Sequence, residues 1–252
     1  MARLRTRKPR KKLTTTNWVY LLAYALIFAI GAALYQVRGV FTLSVGTALI
    51  ATGIAGWVIF FWVRESEVRA RSLQNLADFG ITDAFAVRSV AIRGEYELRF
   101  KASRDQISIM GFGLRALRED FGDQFQDWAR ATTVRILLLD PDAPNIKHAY
   151  ADQRDAEESN PAGSIRKDVH EFISRTHAIR LEYADSFQIR LYRCIPSINV
   201  CIIDDEAFWG PYVFGRQSRS TVTFLCRRGG HMYTTLATHF DQVWRNSRPA
   251  PE

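Results

Sequence analysis

Three consecutive acids, Asp204, Asp205 and Glu206, follow an apolar run in the stretch NVCIIDDEAFWGPYVFG, residues 199–215. Carboxylates at the end of a strand can bind a metal ion or exchange a proton. No histidine lies close to them in sequence, and strand alternation sends Asp204 and Glu206 to one side and Asp205 to the other. We therefore predict that these acids solvate a strand end, and that the chain has neither a metal site nor a cofactor.

A second set of residues with possible binding chemistry lies at other predicted strand ends. Gly111 and Gly113 flank Phe112 between a strand and a helix. Free backbone N–H groups at such a position can bind an anion, although a tight turn is the alternative interpretation. Asp140 ends the apolar run TVRILLLD and either faces the sheet edge where α/β proteins bind ligands or begins a loop. The sequence thus predicts ligand contacts at Gly111, Gly113 and Asp140.

Two aromatic residues, Trp209 and Tyr212, flank a Gly-Pro turn shortly before Arg216 and Arg219. Such a group can stack on a base and pair with a phosphate, or it can dock a protein partner. Anchoring of the two rings in the core is the alternative. We predict that Trp209, Tyr212, Arg216 and Arg219 form a docking surface for a macromolecular partner.

The elements that must position these residues alternate between strand and helix from about residue 85 onward. A polar segment, residues 151–164, is predicted as a long loop. The pattern predicts a cytoplasmic α/β domain over residues 85–252, with a mixed sheet covered by helices. Apolar runs predict strands at 105–111, 133–140, 187–195, 199–204 and 220–227, and helical spacing predicts helices at 94–104, 114–128, 165–176 and 233–244.

Two uncharged apolar segments, residues 17–37 and 40–63, precede this domain. As helices they extend about 31 and 36 Å, which is enough for a hydrocarbon layer of about 30 Å. Only Arg38 and Gly39 separate the two segments. The sequence therefore predicts an N-terminal transmembrane helical hairpin over residues 17–63, followed by a connector helix over residues 64–84.

The positive charges predict the orientation of the hairpin. Seven basic residues lie among residues 1–12 of a chain whose net charge is +8, so the rest of the chain is close to neutral. Three more arginines, Arg64, Arg69 and Arg71, follow the second segment. The positive-inside rule then predicts a two-pass protein of the bacterial inner (plasma) membrane with both termini cytoplasmic. Residues 1–16 form a basic cytoplasmic arm that can contact anionic membrane lipids.

Small side chains recur at every fourth position along both predicted spans. This spacing lets helix backbones approach closely in lipid. The contact is made either within one hairpin or between hairpins in a homo-oligomer. The predicted packing residues are Ala25, Ala29 and Ala33 in the first span and Ser44, Ala48, Thr52 and Gly56 in the second.

Over residues 85–248, the order of strands ISIMG, VRILLLDP, IRLY and NVCIIDD, then a Gly-Pro turn and a last helix containing HFDQVW, resembles the phospholipase D-like fold. Active members of that family carry a His-x-Lys motif whose histidine is the nucleophile. This sequence departs from the pattern, so the resemblance implies a degenerate, non-enzymatic member that binds rather than cleaves. The residues two positions after its five histidines are Tyr150, Phe172, Ile179, Tyr233 and Asp241.

A membrane hairpin joined to a cytoplasmic domain without a catalytic set resembles the two-span effector proteins of bacterial antiphage systems, including retron systems. The resemblance implies a toxin-like protein whose domain binds a protein or nucleoprotein and whose spans damage the inner membrane on activation. Two alternatives stay open. One is a membrane-tethered sensor or scaffold that binds a nucleotide or nucleic acid, and the other is a phosphodiesterase that uses Asp140 or Asp204.

Overall fold

The computed structural model describes residues 15–37, 39–86, 90–195 and 197–251. Its chain divides into two compact units, Met1–Leu73 and Gln74–Glu252. The predicted fold class is confirmed, because two apolar helices precede a mixed sheet that is covered by helices. Most of the predicted basic arm, residues 1–14, lies outside the described residues.

The first unit contains α1 (Thr15–Tyr35) and most of α2 (Val40–Asp78). Two windows within these helices, Trp18–Tyr35 and Val40–Val63, each have a mean hydropathy of 1.9. Both are long and apolar enough to cross a membrane. The boundaries agree with the two predicted apolar segments to within a few residues.

Glycines bring α1 and α2 into close contact. A Cβ atom at Gly31 would lie 2.8 Å from the backbone nitrogen of Ile50, and one at Gly46 would lie 2.8 Å from the backbone oxygen of Gly31. The sequence interpretation did not single out either glycine. Among the predicted packing residues, Gly56 is buried and Ala25 is half-buried, whereas Ala29, Ala33, Ser44, Ala48 and Thr52 are exposed.

The second unit is built on an eight-stranded sheet of order β1-β7-β6-β5-β2-β3-β4-β8. Strands β2, β3 and β4 are parallel, and all other neighbouring pairs are antiparallel. The bounds are β1 (Ile81–Phe85), β2 (Gln106–Gly111), β3 (Thr133–Leu139), β4 (Phe187–Tyr192), β5 (Ile198–Ile203), β6 (Glu206–Pro211), β7 (Thr223–Arg227) and β8 (Arg248–Pro249).

Within the residues that the structure describes, seven further helices cover the sheet or connect its strands. They are α3 (Val90–Ala102), α4 (Arg115–Phe121), α5 (Phe125–Ala131), α6 (Tyr150–Glu157), α7 (Ser164–Arg175), α8 (His177–Glu182) and α9 (His231–Arg245). Single 3₁₀ turns occur at Gly122–Gln124, Ile146–His148 and Ser218–Ser220.

The structure corrects four features of the predicted element order. The helix predicted over residues 114–128 is divided into α4 and α5 by a 3₁₀ turn, and the loop predicted over residues 151–164 contains α6. The aromatic Gly-Pro turn is the end of a strand, β6. Residues 81–85, which span the predicted boundary between connector and domain, form β1 after α2 has ended at Asp78.

Both faces of the central strands are buried. Residues 137–139 of β3 are consecutive leucines with no exposed surface, as expected for a parallel strand covered on two sides. On one face, Phe187 of β4 packs against Phe125 of α5 at a ring distance of 5.8 Å. On the other face, the Arg135 guanidinium lies 5.0 Å from the ring of Phe240 in α9. This core fixes the positions of the loops at both edges of the sheet.

Candidate functional site

The carboxyl ends of β2, β3 and β4 form one edge of the sheet, which we call the carboxyl edge. It comprises residues 111–114, 140–148, 193–195, 197–198 and 210–223, because β6 ends here and β5 and β7 begin here. Six of the seven predicted binding residues lie at this edge, and Trp209 lies one residue before it. The six are Gly111, Gly113, Asp140, Tyr212, Arg216 and Arg219. A Cβ atom at Gly111 would lie 3.4 Å from the Tyr212 hydroxyl oxygen.

Helix packing accounts for glycine at position 113. A Cβ atom there would lie 2.6 Å from the Cβ of Asp168 and 3.3 Å from the backbone oxygen of Ile165, both in α7. The following residue, Leu114, has a left-handed backbone with φ of 48° and leads into the seven-residue helix α4. The Gly111-Phe112-Gly113 segment is therefore a buried strand-to-helix turn against which α7 packs.

Asp140 is fully buried and is held by two arginines. Its Oδ2 atom accepts hydrogen bonds from Arg193 Nη1 at 2.8 Å and from Arg248 Nε at 3.0 Å. Burial alone would raise the pKa of Asp140, but the hydrogen bonds from Arg248 and from the Asp142 backbone N–H, with the charges of both arginines, lower it below its ordinary value. Asp140 therefore stays ionised and links the ends of β3, β4 and β8.

The acidic turn at 204–206 lies at the opposite edge of the sheet and is bound by its own domain. Asp204 accepts hydrogen bonds from the backbone N–H groups of residues 104, 105 and 106 at 2.9–3.0 Å, and from the Ser103 hydroxyl at 3.0 Å. Glu206 pairs with Arg99 at 2.6 Å. The predicted strand-end solvation is thus wrong for these two acids, because hydrogen bonds and ion pairs with the protein occupy their carboxylates.

The same acids line a cavity of about 640 Å³ together with three arginines, Arg99, Arg227 and Arg228. The arginines are paired with acids of the same wall, since Arg227 contacts Glu206 at 3.0 Å and Arg228 contacts Asp205 at 2.7 Å. Within the described ranges, no group of three or more histidine, cysteine, aspartate or glutamate side chains is placed to bind a metal ion. The charges of this cavity are balanced internally.

Trp209 and Tyr212 pack into the domain, which corrects part of the predicted docking surface. Trp209 is half-buried and stacks on Phe224 at a centroid distance of 5.0 Å. Tyr212 lies 4.3 Å from the Phe112 ring. The alternative interpretation, anchoring in the core, is the better description of both rings.

The loop that follows Tyr212 is the exposed part of this segment. The buried Arg154 side chain of α6 donates hydrogen bonds to the backbone oxygens of Val213 at 3.2 Å and Arg216 at 3.0 Å. Glu158 accepts hydrogen bonds from the backbone N–H and the hydroxyl of Ser218 at 3.1 and 2.6 Å. The loop is therefore fixed to α6.

Exposed apolar and basic side chains project from this fixed loop. Phe214 is 80% exposed and Val213 is 39% exposed, and the predicted residues Arg216 and Arg219 are exposed as well. The sequence interpretation missed Phe214 and the anchoring role of Arg154. The available signal was an aromatic residue beside a glycine in an otherwise polar segment, VFGRQSRS.

No protein-family model matches the chain, and no curated protein matches it in sequence. Solved structures with a related fold include the archaeal chromatin protein TrmBL2, at 13% identity and a TM-score of 0.45 over 80% of this chain and 70% of that one. Nuc, a phospholipase D family member from Salmonella typhimurium, has 10% identity and a TM-score of 0.45 over 68% of this chain and 99% of that one.

Phosphatidylserine synthase of Haemophilus influenzae Rd KW20 is a third structural neighbour. It has 10% identity and a TM-score of 0.44, with 66% of this chain and 39% of that chain covered. A phospholipase D family member is thus among the structural neighbours. Likeness at this level concerns the arrangement of strands and helices alone.

Proposed function

We propose that this chain is a membrane-anchored, non-enzymatic effector of the bacterial inner membrane. The hairpin crosses the membrane, and the α/β domain is a cytoplasmic binding module that controls the hairpin. One observation carries the proposal: two helices long and apolar enough to cross a bilayer are joined to a domain whose strand-end carboxylates are occupied by its own residues.

The contacts of Asp140 and Asp204 favour binding over catalysis. A general base needs a carboxylate oxygen directed at the substrate, with a pKa near the working pH. Asp140 is buried between two arginines, and Asp204 caps three backbone N–H groups. The pKa of each carboxyl is lowered, because hydrogen bonds to the charged form outweigh the effect of burial. The missing His-x-Lys motif agrees with this interpretation.

The effector role is based on small side chains that are exposed on the outer surface of the hairpin. Ser44, Ala48 and Thr52 are exposed along one line of α2, and small side chains at this spacing allow a second helix to approach closely. In the proposed toxin-like role in antiphage defence, the α/β domain binds a protein or nucleoprotein partner. Release or assembly of the domain then lets the hairpins associate and damage the membrane.

Membrane potential in living cells tests the effector role. We expect induction of the full chain in bacteria to depolarise the inner membrane and slow growth. The double variant Ala48→Leu, Thr52→Leu places large side chains among the exposed small residues of α2 and should abolish the depolarisation. Ile54→Leu, at another exposed position of α2, should retain it. Absence of depolarisation at a confirmed membrane level of the full chain would contradict the effector role.

A turnover assay tests the non-enzymatic part separately. The purified full chain in mild detergent should not hydrolyse a chromogenic phosphodiester. Turnover that is present in the native chain and lost in a folded Asp140→Asn variant would contradict the proposal and establish the phosphodiesterase alternative.

A further inference from the structure

Four apolar side chains are exposed on the carboxyl edge, in three different loops. Phe214 is 80% exposed, Ile146 is 73% exposed and Ile195 is 71% exposed, and Val213 lies beside Phe214. We call these four residues the edge patch. Single exposed apolar side chains are common on protein surfaces, but a group on one edge marks an interaction surface.

Hydrogen bonds connect the three loops of the edge patch directly. Arg193 Nη2 donates to the backbone oxygen of Pro144 at 2.8 Å, which joins the loop of Ile195 to the loop of Ile146. The backbone N–H of Tyr212 donates to the oxygen of Ser197 at 3.0 Å, which joins the loop of Phe214 to the loop of Ile195. The three loops are therefore linked to one another along the carboxyl edge.

Positive charge surrounds the patch. The basic residues of these loops are Lys147, Arg193, Arg216 and Arg219, and all four are exposed. The acids within residues 140–148, 193–197 and 212–220 are Asp140 and Asp142. Asp140 is paired with Arg193 and Arg248, and Asp142 is paired with Arg166 of α7. The excess positive charge of the loops therefore lies on Lys147, Arg216 and Arg219. The surface therefore combines apolar side chains with an excess of cations.

We propose that the edge patch docks onto the surface of an anionic lipid bilayer. Apolar side chains that enter the headgroup region, surrounded by lysine and arginine, are the pattern by which protein surfaces bind acidic membranes. Each lysine or arginine close to such a surface adds favourable electrostatic energy. The occupant that this chemistry fits is a bilayer rich in acidic headgroups.

The two candidate spans lie on the same polypeptide as the edge patch, so docking onto the bilayer that they cross would be an intramolecular event. A free protein or nucleic acid has no such advantage. In addition, single-stranded nucleic acid binds on rows of exposed aromatic rings, and Phe214 is the one exposed ring among the four patch residues.

The loop that carries Val213 and Phe214 is held in place before docking, which reduces the entropic cost of binding. Arg154 holds the backbone on either side of Phe214, and the Arg154 guanidinium is itself paired with Glu157 at 2.9 Å. The apolar side chains are thus exposed on a fixed backbone.

The inference rests on the proposed function only in placing the hairpin in the membrane. The test uses the full chain reconstituted into vesicles of phosphatidylcholine, with or without phosphatidylglycerol, whose acyl chains carry bromine. In a Cys194→Ser background, which removes the exposed thiol, an environment-sensitive fluorophore is attached to cysteine introduced by Phe214→Cys. We expect bromine quenching of this label in phosphatidylglycerol vesicles, and loss of that quenching at high salt.

Two labelled controls separate the possible failures. A label introduced by Ala48→Cys in α2 reports on the hairpin, and one introduced by Leu98→Cys reports on an exposed apolar residue of α3 outside the patch. Quenching at 48 without quenching at 214 would overturn the docking inference and leave the membrane anchor standing. Absence of quenching at both positions would overturn the anchor as well. Equal quenching at 214 and 98 would show non-specific adsorption and would also overturn the inference.

Two charge-reversal variants provide a second test of docking. Arg216→Glu with Arg219→Glu should weaken the docking equilibrium by at least about tenfold, because two favourable charges are replaced by two repulsive ones. Arg115→Glu with Arg175→Glu changes the net charge equally at exposed positions outside the patch and should leave docking unchanged. If the Arg216 and Arg219 variant instead loses affinity for a labelled oligonucleotide while the quenching at 214 is unaltered, the surface is a nucleic-acid site and the lipid inference is wrong.

Discussion

Asp204 illustrates how far a residue's role depends on partners that are distant in sequence. The spacing of the three acids was visible in the sequence, and so was the absence of a nearby histidine. The Ser103–Gln106 segment that surrounds the Asp204 carboxylate is about 100 residues away along the chain. Arg193 and Arg248, the partners of Asp140, are 53 and 108 residues away along the chain. The sequence could identify the candidate acids, but it could not show that neighbours occupy them.

At the residue scale, replacement of Asp204 should destabilise the α/β domain much more than replacement of its neighbour Asp205. Asp204→Asn places an amide group against three backbone N–H donors and should cost about 2–3 kcal/mol of unfolding free energy. Asp205→Asn removes an exposed ion pair with Arg228 and should cost less than about 1 kcal/mol. Denaturant unfolding of the two variants measures the difference, and equal losses would contradict the capping role.

The acid dependence of stability should follow the two lowered carboxyl pKa values. Asp140 and Asp204 each have a folded-state pKa below the ordinary value, which is about 3.9 in the unfolded chain. As the pH falls from about 5, the unfolded state takes up these protons first, so their stabilisation decreases until the pH has passed below the folded pKa values. Asp140→Asn should flatten this loss in acid unfolding curves, and a slope identical to that of the native chain would contradict the ion-pair assignment.

At the scale of elements, strongly periodic segments were predictable and short ones were not. β3 and α9 were clear because a long apolar run and a repeated apolar face are each sufficient evidence. The sequence of α6, YADQRDAE, predicts a loop because half of its residues are charged, and one of them, Arg154, is buried by pairing with Glu157 and Glu158. The Gly-Pro end of β6 is typical of a turn, whereas the pairing of β6 with β5 and β7 is set by tertiary structure.

The anchoring of the Phe214 loop by α6 gives a prediction at this scale. Arg154→Ala removes two hydrogen bonds to the loop backbone and leaves Glu157 and Glu158 without their buried partner. We expect a loss of about 3 kcal/mol of stability and faster cleavage by chymotrypsin after Phe214. Arg175→Ala, at an exposed position of α7, is the matched control and should alter neither quantity. An unchanged cleavage rate in Arg154→Ala would show that α6 does not order the loop.

At the scale of the whole molecule, the structure divides the chain after Leu73, inside the predicted connector. The long uncharged segments indicated the hairpin without any tertiary information. The contact between its helices was harder to predict, because small residues occur on more than one side of α2 and the sequence does not show that Gly46 and Gly53 face α1. The edge patch was not predictable, because its residues come from three loops that only the folded sheet brings together.

The central claim is that the hairpin crosses the membrane and that the α/β domain lies in the cytoplasm. Cysteine accessibility in intact cells tests it most directly, with the exposed Cys194 replaced by serine. We predict that an impermeant maleimide labels a Gly39→Cys variant from outside, while a Leu98→Cys variant is labelled only after the inner membrane is permeabilised. Labelling of both cysteines from the same side, or extraction of the chain from membranes by alkaline carbonate, would contradict the claim.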